Sequence, residues 1–348
     1  MLYENVNIEA FGYELAPVPI SSEEIEGRLT SVYEKLHLPY GRLEMMSGIR
    51  ERRLWEPGTM PSRAAILAGR NALANSGIPA KDIGCLIMCS VCRDFLEPAT
   101  ATVVHCELGL PQNALVFDIS NACLGILTGM ITAANMIELG QIKAALLVAG
   151  ENSRPLLEST IKVMLEDKTL TRQSIKKYFS SLTIGSGSVG VVLAHKDTSS
   201  TKHKLVGGYS LAVTSHNKLC QGNADKGMSD NMETLMSTDA EELMRKGVEV
   251  AAETWKFFKK EVGWKNETPD CFCTHQVGVA HRKLMYQTLG IDISKDFPTL
   301  PFLGNVGSVS CPITAAMAVE NGRLAPGQKL AMLGIGSGIN CTMLGVEW

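Results

Sequence analysis

The sequence predicts an α/β protein built from two similar halves packed face to face, and three observations carry that prediction. Short, almost wholly apolar runs such as KAALLVAGE (Lys143 to Glu151) and SVGVVLAH (Ser188 to His195) have strand length without polar alternation, as in a sheet covered on both faces. Longer segments with helical spacing alternate with them. The pattern also occurs twice. DIGCLIMCSV (from Asp82) aligns in residue type with DCFCTHQV (from Asp270), and KAALLVAGENS (from Lys143) with KLAMLGIGSG (from Lys329), both pairs separated by a little under two hundred residues. Identity between the repeats is low, so type and order carry the argument.

The elements follow in order. SSEEIEGRLTSVYEKLHL (Ser21 to Leu38) begins with a capping box and spaces Ile25, Leu29, Val32 and Leu36 along one helical face. Ser62 to Ile78 is a second helix, ending near Gly77. A strand at Ile83 to Val91, a helix around Ala99 to Leu108 and a strand at Ala114 to Ser120 come next. An apolar helix containing Cys123 runs to about Gly140, before the strands at Lys143 to Glu151 and Ser188 to His195. Between those strands, Glu158 to Ser180 is charged with helical spacing. It reads as a solvated helix pair, with a cover over a site as the alternative. Polar, unpatterned KDTSSTKHK (Lys196 to Lys204) marks the junction, dividing the chain into residues 1–197 and 198–348. The second half shows helices at Asp239 to Val262, His281 to Leu289 and from near Ser310 to Asn321. Its strands are Asp270 to Gln276, Lys329 to Gly336 and Asn340 to Trp348.

Composition narrows the class. With 348 residues, 45% hydrophobic and 20% charged, the chain can bury two cores and does not read as disordered. A net charge of -3 with mixed signs suggests neither a nucleic-acid groove nor an anionic membrane surface. The opening MLYENVNIEAFGYELAPVP lacks signal-peptide organisation, and no run is long enough to cross a bilayer, so a cytoplasmic protein is expected. Ten cysteines, mostly inside apolar runs, read as reduced core thiols. Cys85, Cys89, Cys92 and Cys106 form no pair of C-x-x-C knuckles, so no metal is expected.

Cys123 stands where a strand turns into a helix. Amides of a first helical turn favour a thiolate and could hold an oxyanion, whereas a cysteine that merely fills the core is the plainer alternative. His275 ends an apolar strand, either facing a site or as a hydrogen-bonded structural histidine. Asn305, on the glycine-flanked stretch LGNVGSVSCPITAA, can donate to a carbonyl oxygen or simply make a turn. The GIGSGIN turn (Gly334 to Asn340) permits close backbone approach, but a strand follows it, so it is no dinucleotide fingerprint. If the duplication is real, these groups converge near its pseudo-twofold axis. His281 gives H-x5-H with His275, but it falls on the following helix and reads as no metal ligand. Met130 and Met136 read as core. Trp55, among charged residues, reads as surface or interface. Glu97 reads by itself as a partner of Arg93 or as a helix N-terminal carboxylate.

These motifs resemble the thiolase superfamily, specifically the ketoacyl-carrier-protein synthase III branch. Within it they are most similar to the acyl-CoA condensing thiolases of bacterial long-chain olefin synthesis. The resemblance runs from SGIRERR (Ser47 to Arg53) to GIGSGINC, through RRLWE (Arg52 to Glu56), SVCRDFLEPATA (Ser90 to Ala101), NACL (Asn121 to Leu124), NKLCQGN (Asn217 to Asn223), HQV (His275 to Val277) and GNVG (Gly304 to Gly307). It implies a five-layer αβαβα thiolase fold and a homodimer. It also implies acyl-CoA substrates, coenzyme A only as part of them, and no other cofactor. Catalytic roles would fall to Cys123, His275, Asn305 and Glu97, the last reaching across the dimer interface, with Gly336, Ser337 and Gly338 against the substrate. Enzymes of an olefin pathway become candidate partners. Where carrier-protein synthases read His-Gln-Ala-Asn, this chain reads His-Gln-Val-Gly (His275 to Gly278), which argues against malonyl-carrier-protein chemistry. The implied reaction is therefore a condensation without decarboxylation, which needs a base for a weakly acidic α-proton. A decarboxylating synthase and a non-catalytic thiolase-fold subunit are the alternatives.

Overall fold

The computed structural model describes residues 1–222 and 235–348. The first half contributes β1 (Val6–Leu15), β2 (Cys85–Met88), β3 (Leu115–Asp118), β4 (Ala144–Glu151) and β5 (Gly187–His195). The second contributes β6 (Lys204–Ala212), β7 (Cys271–Thr274), β8 (Lys329–Gly336) and β9 (Asn340–Glu347). They form one hydrogen-bonded array in the order β7-β8-β9-β6-β1-β5-β4-β2-β3. Each half repeats one pattern. From the centre outward, β1 pairs antiparallel with β5 and β5 antiparallel with β4, and β4 pairs parallel with β2. Likewise β6 pairs antiparallel with β9 and β9 antiparallel with β8, and β8 pairs parallel with β7. The repeated sequences Lys143 to Ser153 and Lys329 to Gly338 thus occupy equivalent strands. β1 and β6 meet only near Asn7 and Lys204, with a further bridge at Leu2 and Gly207, so two sheets join along one edge.

Continuous apolar strands follow from this layering. In β2, Leu86 and Met88 pack outward under α1 (Pro61–Ser76) and α2 (Thr100–Glu107), through Ile66, Ala72 and Val104. Cys85, Ile87 and Cys89 point the other way into the central core. Because both faces are covered, period-2 alternation leaves no polar side. In the second half, Phe272, Ala331 and Met343 meet Trp255 and Phe258 of α4 (Ala240–Val262) and Tyr286 of α5 (Val279–Leu289). Between the sheets lie α3 (Gly125–Glu138) and α6 (Ser310–Glu320), whose Ile126, Met130, Ile313 and Ala315 touch one central cluster fed by both sheets. The five layers expected from the family resemblance are present. Met130 is fully buried and Met136 packs against the same cluster, in agreement with their reading as core.

Three local expectations are corrected. The Ser21 cap is present, with its Oγ accepting the Glu24 N–H at 2.9 Å, but the segment breaks at Leu29 into helices Ser22–Arg28 and Thr30–Lys35. Trp55 is buried, and its indole N–H donates to the Glu151 carbonyl at 3.0 Å. Of the charged residues beside it, Glu56 is exposed and Arg53 half-buried, while Arg52 is itself buried. Glu158 to Ser180 is no solvated excursion. Its Ile161, Met164, Leu170 and Tyr178, with Leu157 just before it, pack against Ile25, Leu29, Val32 and Leu36, while Met164, Arg172, Lys176 and Phe179 form a cavity wall. The charges that suggested solvation occupy the faces turned away from that small core. No helix among the described residues is long and apolar enough to cross a membrane.

Candidate active site

The carboxyl ends of the parallel strands open into one large cavity of about 1990 Å³. In α/β sheets this is the usual place for ligands, and the volume exceeds the common range of about 300–1,000 Å³. Ser120 follows β3, Glu151 ends β4, His275 follows β7 and Gly336 ends β8, and all four line it. So do Cys123 and Asn305.

Cys123 sits in a single tight turn, Ala122–Leu124, immediately before α3. Ala122 holds a left-handed φ of +44°, a conformation that costs a non-glycine residue about 1–3 kcal/mol. That bend aims the Cys123 side chain into the cavity while α3 runs into the core. Asn121 braces the bend: its Oδ1 accepts from Asn340 Nδ2 at 2.9 Å, and its Nδ2 donates to Thr128 Oγ1 at 2.9 Å. Gly336 lies over the turn so closely that a Cβ there would be 3.3 Å from the Cys123 amide nitrogen. Gly125 is tighter still, since a Cβ would sit 2.0 Å from the Cys89 carbonyl oxygen.

The thiol is not the resting anion that the helix-start argument favours. Burial, then the negative charge of Glu151 and the neighbouring Cys220, push Cys123 up to about 12 against a single opposing backbone hydrogen bond. Removing an anion from water outweighs one short turn's amides. Cys123 is nonetheless half-buried on the cavity wall and does not merely fill the core.

His275 is anchored through its N–H to the Leu333 carbonyl at 2.9 Å. Its Nδ1 is buried without a partner among the described residues, leaving Nε2 as the ring nitrogen open to the cavity. Burial, reinforced by His281, pushes His275 down to about 3, and burial pushes His281 down to about 4. Both imidazoles are therefore neutral near pH 7, and His275 is suited to donate a hydrogen bond to a carbonyl oxygen rather than to carry charge. Gln276 ties this strand end to the next loop, its Nε2 donating to the Phe297 carbonyl at 2.9 Å and its Oε1 accepting from Thr299 N–H at 3.0 Å and Leu300 N–H at 2.9 Å.

The depressed imidazoles make an acid-side prediction. An unfolded histidine titrates near 6.5, so between that pH and the folded values the unfolded chain binds more protons. Stability is then lost as pH falls through this window, by about 2 kcal/mol per imidazole at pH 5. Urea unfolding at pH 7 and pH 5 measures it, and His281→Leu is expected to flatten the difference. Equal pH dependence in variant and parent contradicts the assignment.

Asn305 makes the turn that its sequence position suggests. Its N–H donates to the Thr183 carbonyl at 3.0 Å, its carbonyl accepts from Gly185 N–H at 2.8 Å, and its Oδ1 accepts from Gly307 N–H at 3.0 Å. The turn thereby uses the amide oxygen and leaves the NH2 end to donate into the cavity.

Two expected site residues fall elsewhere in this chain. Gly338 does not line the cavity, although Gly336 and Ser337 do. With φ +139° it packs against Asn340 and shapes the turn between β8 and β9. Glu97 is exposed and off the wall of its own cavity, although Arg93, Asp94, Phe95 and Leu96 beside it line that wall. Neither simple role for it is seen: among the described residues no ion pair joins it to Arg93, and Asp118 takes the α2 N-terminal amides of Thr100 and Ala101, both at 2.8 Å.

Sequence reasoning missed Glu151. This buried carboxylate on the cavity wall closes the otherwise apolar run KAALLVAGE, and a charge at the end of such a run was the available signal. It also missed Cys92 and Cys220, which line the same cavity. The motif stretch Asn217 to Asn223 is described only as far as Gly222, so Asn223 lies outside the described residues.

A thiol, a neutral imidazole and an amide donor, held at equivalent ends of two repeated sheets, define a thiolase-fold site for acyl-thioester chemistry. The comparisons agree. Residues 117–165 match the profile of 3-oxoacyl-(acyl-carrier-protein) synthase III, and residues 260–348 match the C-terminal profile of the same enzymes. An acyl-CoA:acyl-CoA alkyltransferase of Shewanella oneidensis is 43% identical over 100% of both chains, and one of Xanthomonas campestris is 37% identical over 100% of both. A beta-ketoacyl-(acyl-carrier-protein) synthase III of Koribacter versatilis is 25% identical over 87% of each. A crystal structure of Xanthomonas campestris OleA superposes with a TM-score of 0.94 at 36% identity, covering 100% of this chain and 98% of that one. Other structures of that OleA hold cerulenin, or lauric acid and lauroyl-CoA. The chain belongs to the OleA family of acyl-CoA:acyl-CoA alkyltransferases, within the synthase III branch of the thiolase superfamily.

Proposed function

We propose that the protein joins two long-chain acyl-CoAs by a non-decarboxylative Claisen condensation, giving a 2-alkyl-3-ketoacyl-CoA. The observation that carries this is the cavity of about 1990 Å³, which holds Cys123, His275 and Asn305 together with room for more than one acyl chain. In the first stage Cys123 sulfur bonds to the acyl carbon, the bond to coenzyme A sulfur breaks, and the thiol proton leaves with coenzyme A. The amides of the Ala122–Leu124 turn and of Gly336 and Ser337 stabilise the oxyanion. In the second stage another acyl-CoA places its carbonyl oxygen against His275 Nε2 and the Asn305 NH2. A carboxylate removes its α-proton, the carbanion attacks the Cys123 thioester, and Cys123 leaves and is reprotonated.

Glu97 is the base in this scheme, supplied by a second copy of the chain in a homodimer. Its exposure, on a loop whose neighbours line the cavity, supports action across an interface. Arg42, Arg172, Lys176 and Lys177 line the cavity without ion pairs among the described residues, and suit the phosphates of coenzyme A. As written, the chemistry uses thioester energy and α-proton removal and requires no metal or redox cofactor. The enzyme would act in the cytoplasm, passing its β-keto product to further enzymes of olefin synthesis. Incubation with one long-chain acyl-CoA and no malonyl donor is the test. A β-keto thioester, or the ketone it yields on hydrolysis and decarboxylation, is the expected product. A strict requirement for a malonyl thioester rejects the proposal in favour of a decarboxylating synthase.

A further inference from the structure

We propose that Glu151 is a positioning residue for the second stage, tying the loop that delivers Glu97 to the partner copy's site to the loop that sets Asn305 in its own, so that one side chain keeps the two sites of the dimer in step. The inference rests on the two-stage condensation above. Glu151 ends β4 and is 5% exposed. Its Oε1 accepts the Val91 N–H at 2.9 Å and the Ser308 hydroxyl, and its Oε2 accepts the Cys92 N–H at 3.2 Å. Val91 and Cys92 open the loop that leads to Glu97, while Ser308 lies three residues beyond Asn305. Gly307 is packed over the carboxyl group, where a Cβ would come within 3.5 Å of its carbon. Meanwhile the Trp55 indole fixes the Glu151 backbone. One side chain thus ties two loops of different halves to a single strand end.

No cation pairs with this carboxylate among the described residues. A buried charge without a counter-charge weakens a fold, so its hydrogen bonds buy geometry rather than stability. The turn that carries the nucleophile has its own hydrogen bonds, Asn340 to Asn121 to Thr128, and among the described residues no hydrogen bond joins these groups to Glu151. The charge of Glu151 opposes the Cys123 thiolate. Among the described residues the same cavity wall also carries the thiols of Cys92 and Cys220, the neutral imidazoles of His275 and His281, and the charged side chains of Arg93, Asp94, Asp239 and Glu241.

Glu151→Gln keeps the shape, removes the charge and turns one acceptor into a donor facing loop amides. Three rates separate the possibilities: acyl-Cys123 formation by intact mass, iodoacetamide alkylation of Cys123 by peptide mapping, and β-keto product formation. The expected result is acylation at least as fast as in the parent, faster alkylation, and condensation slowed at least tenfold. Ser308→Ala breaks one of the three hydrogen bonds without changing charge, and is expected to slow condensation less while leaving alkylation as in the parent. It also supplies the test if Glu151→Gln does not fold. Acylation and condensation falling together, or condensation left intact, overturns the inference. A parent protein that never forms acyl-Cys123 overturns the two-stage reading beneath it, a separate and recognisable failure.

Discussion

Cys123→Ala is expected to abolish the acyl-enzyme and to lower condensation by at least about a thousandfold, since no other group in the scheme can hold the first acyl chain. The fold should survive. The side chain is half-buried on a cavity wall, so alanine leaves no sealed void. Intact mass after incubation with a long-chain acyl-CoA reads the result directly. Two further thiols, Cys92 and Cys220, line the same cavity and act as internal controls. Acylation of either in the variant, with turnover retained, would mean that the nucleophile has been misassigned.

Glu97→Gln is expected to have the second largest effect, with the opposite signature. Acyl-Cys123 should form and accumulate, while condensation falls by about 10²–10⁴-fold through loss of the base. Stability should change by no more than about 0.5 kcal/mol, because in one chain Glu97 is exposed. Action across an interface adds a sharper expectation. When Glu97→Gln and Cys123→Ala chains are co-expressed, a mixed dimer holds one complete site, with Cys123 from one copy and Glu97 from the other. Random pairing then restores about a quarter of the parent activity. A base acting within its own chain gives no recovery on mixing.

The extent of what was legible in the sequence differs by kind of residue. Strands were readable because burial on both faces leaves runs such as Ala144–Glu151 and Gly187–His195 uniformly apolar, and the repeat exposed their order. The helix from Ala240 to Val262 was readable from its periodicity and its Asp239 cap, whose side chain accepts from Glu242 N–H at 3.2 Å. Glu158 to Ser180 was misjudged because its charges dominate the count, whereas its few apolar residues find partners more than a hundred positions earlier. Trp55 failed for the same reason: its environment is set by Glu151, 96 residues away.

The chain order alone determined the two halves, the alternation that makes them α/β, and the turn positions that carry Cys123, His275 and Asn305, because these depend on neighbours a few residues apart. Only the tertiary structure decided that Cys123 rests as a thiol, that the two imidazoles are neutral, that Gly338 stands back from the wall, and that Glu151 joins the site. The protonation states depend on how much water is excluded and which charges lie near, and the places of Gly338 and Glu151 on which loops pack together; all are products of segments that meet only after folding.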